Sequence, residues 1–435
     1  MASIVGCALS QVKSRLNHFI SDAQVEELCR QRQHRWRNRV LNPLTTIHLF
    51  LLQLLAGVSM AGVRHVAGMA VTAQALCKAK KRLPLTLLMD LLERLTQQLT
   101  PQGQDGSCWH GHAVALVDGM SFMTSDTPQL AGKYGRAANS RGQSRCYPLP
   151  KLLASFDLCS LCLLKIIALP FSRQERTCLT RLFSSMAAAT VMLADRGLAG
   201  FAQLAMMQAA ALHGLIRLPR WLVIRGRGRG AHRRIKRLGR QDLLVSWRRA
   251  TLRRPTWMSK RRWLNLPQQL TLRQIAFRIV RPGHRSKWAW IITTLCDPQR
   301  YPAQELVELY AKRWQVEVQF RDLKTRLGLK KLSAKTVAGV RKELLMFVLL
   351  YNLVRQVMLQ EAQRQQVSCD RISFIDTLRW MLFAAPQEAP PPLLVNPLRR
   401  HRPTQPRKLK SARKRYGQLT QPRQSLIKPA SEAKL

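Results

Sequence analysis

The sequence predicts an α/β protein: a mixed sheet with helices on its faces, a helical segment before it and a basic, mostly β insertion within it. Three observations predict this. From His112 onward the apolar runs come in the order strand, strand pair, helix, strand, helix, strand. Residues 1–106 instead carry apolar side chains at i, i+3, i+4 spacing. Between about 226 and 287 the rhythm breaks and Lys and Arg crowd in.

In chain order, "NPLTTIHLFLLQLLAGVSMAGVRHVA" and "PLTLLMDLLERLTQQL" read as helices, with Pro43 and Pro84 near their starts. Val40 to Val63 is uncharged and long enough to span a bilayer. Its Asn42, Thr45, Thr46, His48, Gln53 and Ser59 argue instead for a buried helix pair. "HAVALVDGMSF" reads as a strand reaching Asp118-Gly119. "YPLPKLLASFDL" and "SLCLLKIIAL" form a strand pair, "ERTCLTRLFSSM" a helix and "ATVMLADRGLAGF" a strand meeting Asp195. "AQLAMMQAAALHG" follows as a helix and "RWLVIRG" as a strand. In the insertion, 17 Lys or Arg between Arg217 and Arg262 face one acid, Asp242. "LTLRQIAFRIV" is its clearest strand. "KWAWIITTL" is either its last strand or a return to the core. A helix from near Pro302 and the long apolar helix "GVRKELLMFVLLYNLVRQVMLQEAQ" complete the core. The expected division is 1–106 helical, 107–388 the sheet domain with its insertion, and 389–435 a flexible basic tail. That tail holds twelve bases and one acid, Glu432.

Composition narrows the function. The chain has 435 residues, 46% of them hydrophobic, enough for a sizeable core. Lys plus Arg outnumber Asp plus Glu 72 to 23, for a formal charge of +49. An enzyme of small neutral substrates has no use for such self-repulsion, whereas a polyanion rewards it by counterion release. Nucleic acid is the first reading, and an anionic membrane surface the rival. The 10 cysteines are scattered and suit a reducing compartment. Cys159 and Cys162 form a lone C-x-x-C inside an apolar run, which reads as core or turn packing rather than a zinc site. The start "MASIVGCALSQVKSRLNHF" does not read as a signal peptide.

In so basic a chain the placing of acids is informative. Asp118 and Asp195 each end an expected strand, and each has a Gly within two residues. The bland alternative is turn-forming Asp. Asp126 and Asp157 are local rivals. Glu317 lies in "YAKRWQVEVQFRDLK". At roughly 100° per residue, Tyr310, Arg313, Glu317 and Lys324 fall within an arc of about 60°. Such a stripe is either a solvated face or a wall of an active site. Phosphodiester chemistry commonly uses two divalent cations held by a few carboxylates. Two strand-end aspartates and one helix glutamate would meet that need.

These residues resemble those of bacterial insertion-sequence transposases of the DDE class, the insertion sequence four family. "LVDGMSF" looks like the family's first-aspartate strand, and "MLADRGLAGF" like its second. "YAKRWQVEVQFRDLKTRLGL" fits its spaced pattern of Tyr, two residues, Arg, three residues, Glu, six residues, Lys. "ELLMFVLLYNLVR" resembles the helix after it. The likeness runs from about Trp36 to Tyr416. It implies a ribonuclease-H-like core in which Asp118, Asp195 and Glu317 bind two Mg²⁺ or Mn²⁺ ions. It implies that Tyr310, Arg313 and Lys324 contact transposon-end phosphates, and that the basic segment is the insertion before the glutamate helix. In hairpin-forming relatives an insertion Trp stacks on a flipped base; Trp290 is the candidate here and Trp288 its rival, core packing being the alternative for both. "GRGRGAHRRIKR" lies outside the family pattern. The expected partners are double-stranded DNA, terminal inverted repeats and target, with a homodimer bridging two ends and no membrane. The expected location is the bacterial cytoplasm, at the nucleoid. A non-catalytic DNA-binding protein, decayed or recruited from a transposase, is the competing reading.

Overall fold

The computed structural model describes residues 21–37, 39–100, 109–138, 144–225, 228–229, 232–249, 252–281, 284–384 and 390–392. Most of the basic tail and residues 226–227 and 230–231 of the Arg-Gly run lie outside the described residues. The N-terminal part is helical: α1 (Asp22–Gln31), α2 (Pro43–Leu55), α3 (Val63–Val66), α4 (Ala73–Arg82) and α5 (Leu85–Leu99). Asn42 caps α2 by accepting the Thr45 N–H at 2.8 Å, and Pro43 needs no N–H partner at that position. The segment Val40 to Val63 is thus one buried helix followed by turns and the start of α3. Among the described residues no helix is long and apolar enough to cross a membrane.

The sheet follows: β1 (Val114–Ser121), then α6 (Pro128–Tyr134) and the ribbon β2 (Arg136–Ala138) and β3 (Ser144–Pro148). After it come β4 (Lys151–Asp157), β5 (Leu163–Leu169), β6 (Val191–Ala194), α7 (Phe201–Ala209) and β7 (His213–Arg217). The insertion supplies β8 (Gly228–Arg229), β9 (His232–Gly239), β10 (Asp242–Arg248), α8 (Lys260–Leu264), β11 (Gln269–Arg281) and β12 (His284–Thr293). Among the described residues ten strands make one sheet in the order β5-β4-β1-β6-β7-β12-β11-β10-β9-β8. β4 runs antiparallel to β1, while β6 and β7 run parallel to it. That five-strand order with its reversed second strand is the ribonuclease-H-like arrangement. β12 pairs with both β7 and β11, so "KWAWIITTL" belongs to core and insertion at once. The basic meander is therefore an extension of the core sheet.

Two expected elements differ. "ERTCLTRLFSSM" forms three separate 3₁₀ turns rather than a helix. Thr177 and Ser185 turn their hydroxyls back onto the Gln174 and Leu182 carbonyls, closing each turn locally. Residues 220–225 of "RWLVIRG" are a 3₁₀ turn and irregular chain; the strand is β7, "HGLIR", just before Pro219. Ile224 finds its backbone partners on the Gln274 side chain instead of a ladder.

The sheet's two faces carry different layers. On one, Leu116 and Ile291 pack with a helical rod and with α11 (Val337–Arg364), which α5 also covers. The rod is α9 (Ala303–Ala311), a 3₁₀ turn (Lys312–Trp314), α10 (Gln315–Arg321) and a wide π turn (Asp322–Arg326). A last helix, α12 (Phe374–Phe383), packs against α11. On the other face, Val117 and Ile292 pack with α7, Trp247 and Trp263.

Candidate active site

Asp118 does not end β1. The antiparallel pairing with β4 carries the strand on to Ser121, opposite Lys151. What ends there is the ladder on the other side: the last β1–β6 pair is Val117 with Ala194. The sheet opens beside Asp118 because β6 stops, and Asp195 is the first residue past that stop. Gly119 is likewise in-strand, opposite Leu153, so the Asp-Gly turn reading fails. Asp195 has extended backbone (φ −81°, ψ 168°) and leads into a 3₁₀ turn that its side chain does not cap. Its Oδ1 is buried and has no hydrogen-bond partner.

Glu317 arrives on α10, which packs against β1. Arg313 links the acids: its guanidinium lies 3.5 Å from Asp118 Oδ2 and 3.4 Å from Glu317 Oε1. Arg313 is mostly buried, while Glu317 keeps 66% of its side chain exposed and free to turn into the opening. Burial pushes the Asp118 carboxyl above the usual carboxylate range. The Gly119 N–H and Arg313 oppose that shift, and the charges of Asp195 and Glu317 reinforce it. All three acids thus share one field. Tyr310 is buried beside them. Its hydroxyl is pushed well above its ordinary pKa by burial, with Arg313 opposing and Asp195 adding to the shift. The regular stripe is broken twice, by the 3₁₀ and π turns. Lys324 sits half-buried on the π turn and forms no ion pair among the described residues.

One residue at this opening was missed by sequence reasoning. Glu175, from the first 3₁₀ turn after β5, lays its carboxylate against Gly119. A Cβ at Gly119 would stand 2.6 Å from its Oε2. No local pattern announces it; only the topology brings it to β1. The rival acids serve structure. Asp157 accepts the Ser160 N–H and hydroxyl, both at 2.7 Å, in the β4–β5 turn. Asp126 pairs with Arg136 at 2.5 Å on the surface. In the β4–β5 turn Cys162 is buried and Cys159 exposed.

Trp290 is half-buried on β12 against the Val117 side of the sheet, with Arg225 5.8 Å from its ring. Trp288 shares that face and is exposed. Both indoles stand across the sheet from α10. Beyond them β9 presents Arg233, Arg234, Lys236 and Arg237 to solvent.

Among the described residues no three acid, His or Cys side chains already stand as a ready metal cage. The donor set nonetheless fits a hard divalent cation: carboxylate oxygens only, one of them buried and unpartnered on Asp195. Residues 109–353, more than half of the chain, match the model of the transposase DDE domain. The chain belongs to that family. The matched span holds Asp118, Asp195 and Glu317 together. It is 25% identical over 295 residues to the transposase InsG of insertion sequence element IS4 from Escherichia coli (strain K12). That alignment takes in 67% of this chain and 62% of InsG. Among solved structures, a piggyBac transposase synaptic complex with hairpin DNA aligns over 85% of this chain and 78% of its own. It does so at 8% identity and a TM-score of 0.42, a distance at which it carries no argument.

Proposed function

We propose that this DDE transposase binds the terminal inverted repeats of an insertion sequence, cuts strands there and joins the freed 3′ ends to target DNA. The observation that carries the reading is the meeting of Asp118, Asp195 and Glu317 at the one place where the β1–β6 ladder ends, with Arg313 between two of them. Asp118, Asp195 and Glu317 would hold two Mg²⁺ or Mn²⁺ ions, which would supply activation of the attacking oxygen and neutralise negative charge on the phosphate oxygens. Until then Arg313 offsets the mutual repulsion of Asp118 and Glu317. Once those acids are otherwise neutralised, its guanidinium is available to a phosphate, for which its forked donors are suited. Tyr310 packs beneath it and fixes its position; Lys324 adds positive charge one wide turn further along. For an unstacked base, exposed Trp288 offers a freer face than half-buried Trp290. A homodimer would serve the pairing of two ends.

The test is a purified full-length chain with Mn²⁺ or Mg²⁺ and a duplex carrying the inverted repeat that flanks its gene. Strand nicking at the repeat end is expected. Tight binding with no nicking in either metal would leave a DNA-binding protein and overturn the proposal.

The β9 bases act at a distance from that chemistry. Arg233→Gln combined with Arg234→Gln is expected to weaken DNA binding at every sequence alike. The slope of log affinity against log salt should shrink by about 0.9 for each phosphate that is no longer neutralised. Filter binding across a salt series measures it, and an unchanged slope would remove β9 from the interface.

A further inference from the structure

The Glu175 carboxylate is half-buried yet makes no hydrogen bond or ion pair among the described residues. Lys151 supplies the favourable charge acting on it, but Lys151 donates to the Arg173 carbonyl at 3.3 Å instead. A carboxylate partly removed from water without a partner is costly, and the chain has only 23 acids to place. The fold makes room for this one. Side chains alternate along β1, so Asp118 points to the α10 face and position 119 to the other. Glycine at 119 leaves the strand bare there, and Glu175 lies directly against it. Its 3₁₀ turn packs on the turn that follows Asp195, and Gln203 on α7 holds it by donating to the Arg176 carbonyl at 3.4 Å. β6 has already ended at this level, so no strand screens Glu175 from Asp118 on that side.

We propose that Glu175 is a fourth carboxylate of the active site, a positioning residue that strengthens its hold on divalent cations from the sheet face opposite Glu317. The inference rests on the triad reading above. An added negative charge beside Asp118, in a half-buried opening, deepens the attraction for a dication more than the same charge would in bulk water. Its place against the bare Gly119 backbone sets that distance. Gly119 is then a functional glycine: in-strand, at no unusual φ, and required because a methyl group would push the carboxylate away.

The experiment measures Mn²⁺ binding to the full chain without DNA, from the paramagnetic resonance of free Mn²⁺. Glu175→Gln keeps shape and removes charge; it is expected to weaken Mn²⁺ about 10- to 100-fold, the usual effect of losing an outer partner. Gly119→Ala, which displaces only the flexible end of Glu175, should weaken it in the same direction. With repeat-end DNA, both variants should need more Mn²⁺ for half-maximal nicking yet approach the wild-type maximal rate at saturation. A defect of folding would lower that maximum instead, and that result counts against the proposal. Mn²⁺ affinity of Glu175→Gln within about twofold of wild type, while Asp118→Ala loses binding, overturns the role of Glu175 alone. A wild-type chain that binds no Mn²⁺, or binding indifferent to Asp118→Ala, overturns the triad reading as well.

Discussion

Asp118→Ala, Asp195→Ala and Glu317→Ala are each expected to abolish strand cleavage while DNA binding survives. The cations those carboxylates would hold supply several kcal/mol of transition-state stabilisation, so a fall of about 10³-fold or more is expected from any one loss. Binding should not suffer, because each substitution removes a negative charge from a chain of +49 facing a polyanion. Affinity is expected to hold or rise slightly. The fold should tolerate the changes too. Asp118 has its pKa raised by burial, which means that folding disfavours its ionised form. A carboxyl in that position destabilises the fold at pH values above its unfolded pKa, so its removal is neutral or stabilising at neutral pH. The decisive pairing is a cleavage assay on repeat-end duplex beside a binding isotherm for the same preparation. Full cleavage by any one variant would remove that residue from the triad; parallel loss of binding would mean the acids act through the fold.

Some of this was readable from residues alone. Short apolar runs marked β1, β4, β5 and β6, and the four polar positions around Glu317 marked one side of a helix. Local pattern sufficed because each such element is specified by its own side chains. What escaped it was relational. Whether β1 ends at Asp118 depends on β4, whose pairing residues stand some 30 positions on, and on β6, which stops short. Arg313 reaches Asp118 across 195 residues, and no spacing rule connects them. Glu175 was hidden in a stretch read as helix, whose apolar spacing is real but is used by three tight turns. Trp290 was singled out by the family resemblance, but its degree of burial is set by the layer packed on that face of the sheet. The irregular helix around Glu317 also has a remote cause, which leads to the second large effect.

Asp322→Ala is expected to destabilise the protein by about 3–5 kcal/mol, the usual result of stripping one partner from a buried ion pair. Asp322 is buried at the start of the π turn, 2.9 Å from Arg326 and 3.4 Å from Arg355. Arg355, on α11, is buried as deeply. It donates to the Tyr351 hydroxyl at 3.0 Å and to Gln319, which also accepts from Tyr351 at 2.8 Å. These bonds clamp the end of the Glu317 helix to α11, and the Leu327 N–H closes the wide turn on the Asp322 carbonyl at 2.9 Å. Burial raises the Asp322 pKa despite three arginines pulling it down, so the pair is not a net source of stability. The large cost comes from breaking it: a guanidinium would be left in the core with neutral partners only. This sign separates two outcomes. Asp322→Ala with Arg355→Met should recover much of the loss, because the deeply buried guanidinium is gone and Arg326, which also loses its partner, is partly exposed. Denaturant unfolding of the two single variants and the double closes that cycle, and simple additivity would refute the coupling. The single Asp322 variant, assayed below its unfolding midpoint, should also lose cleavage more than binding. Glu317 lies five residues from the released anchor, whereas the surface proposed to hold DNA is spread over β9 and beyond. Equal losses in both would instead place the clamp's effect on the fold as a whole.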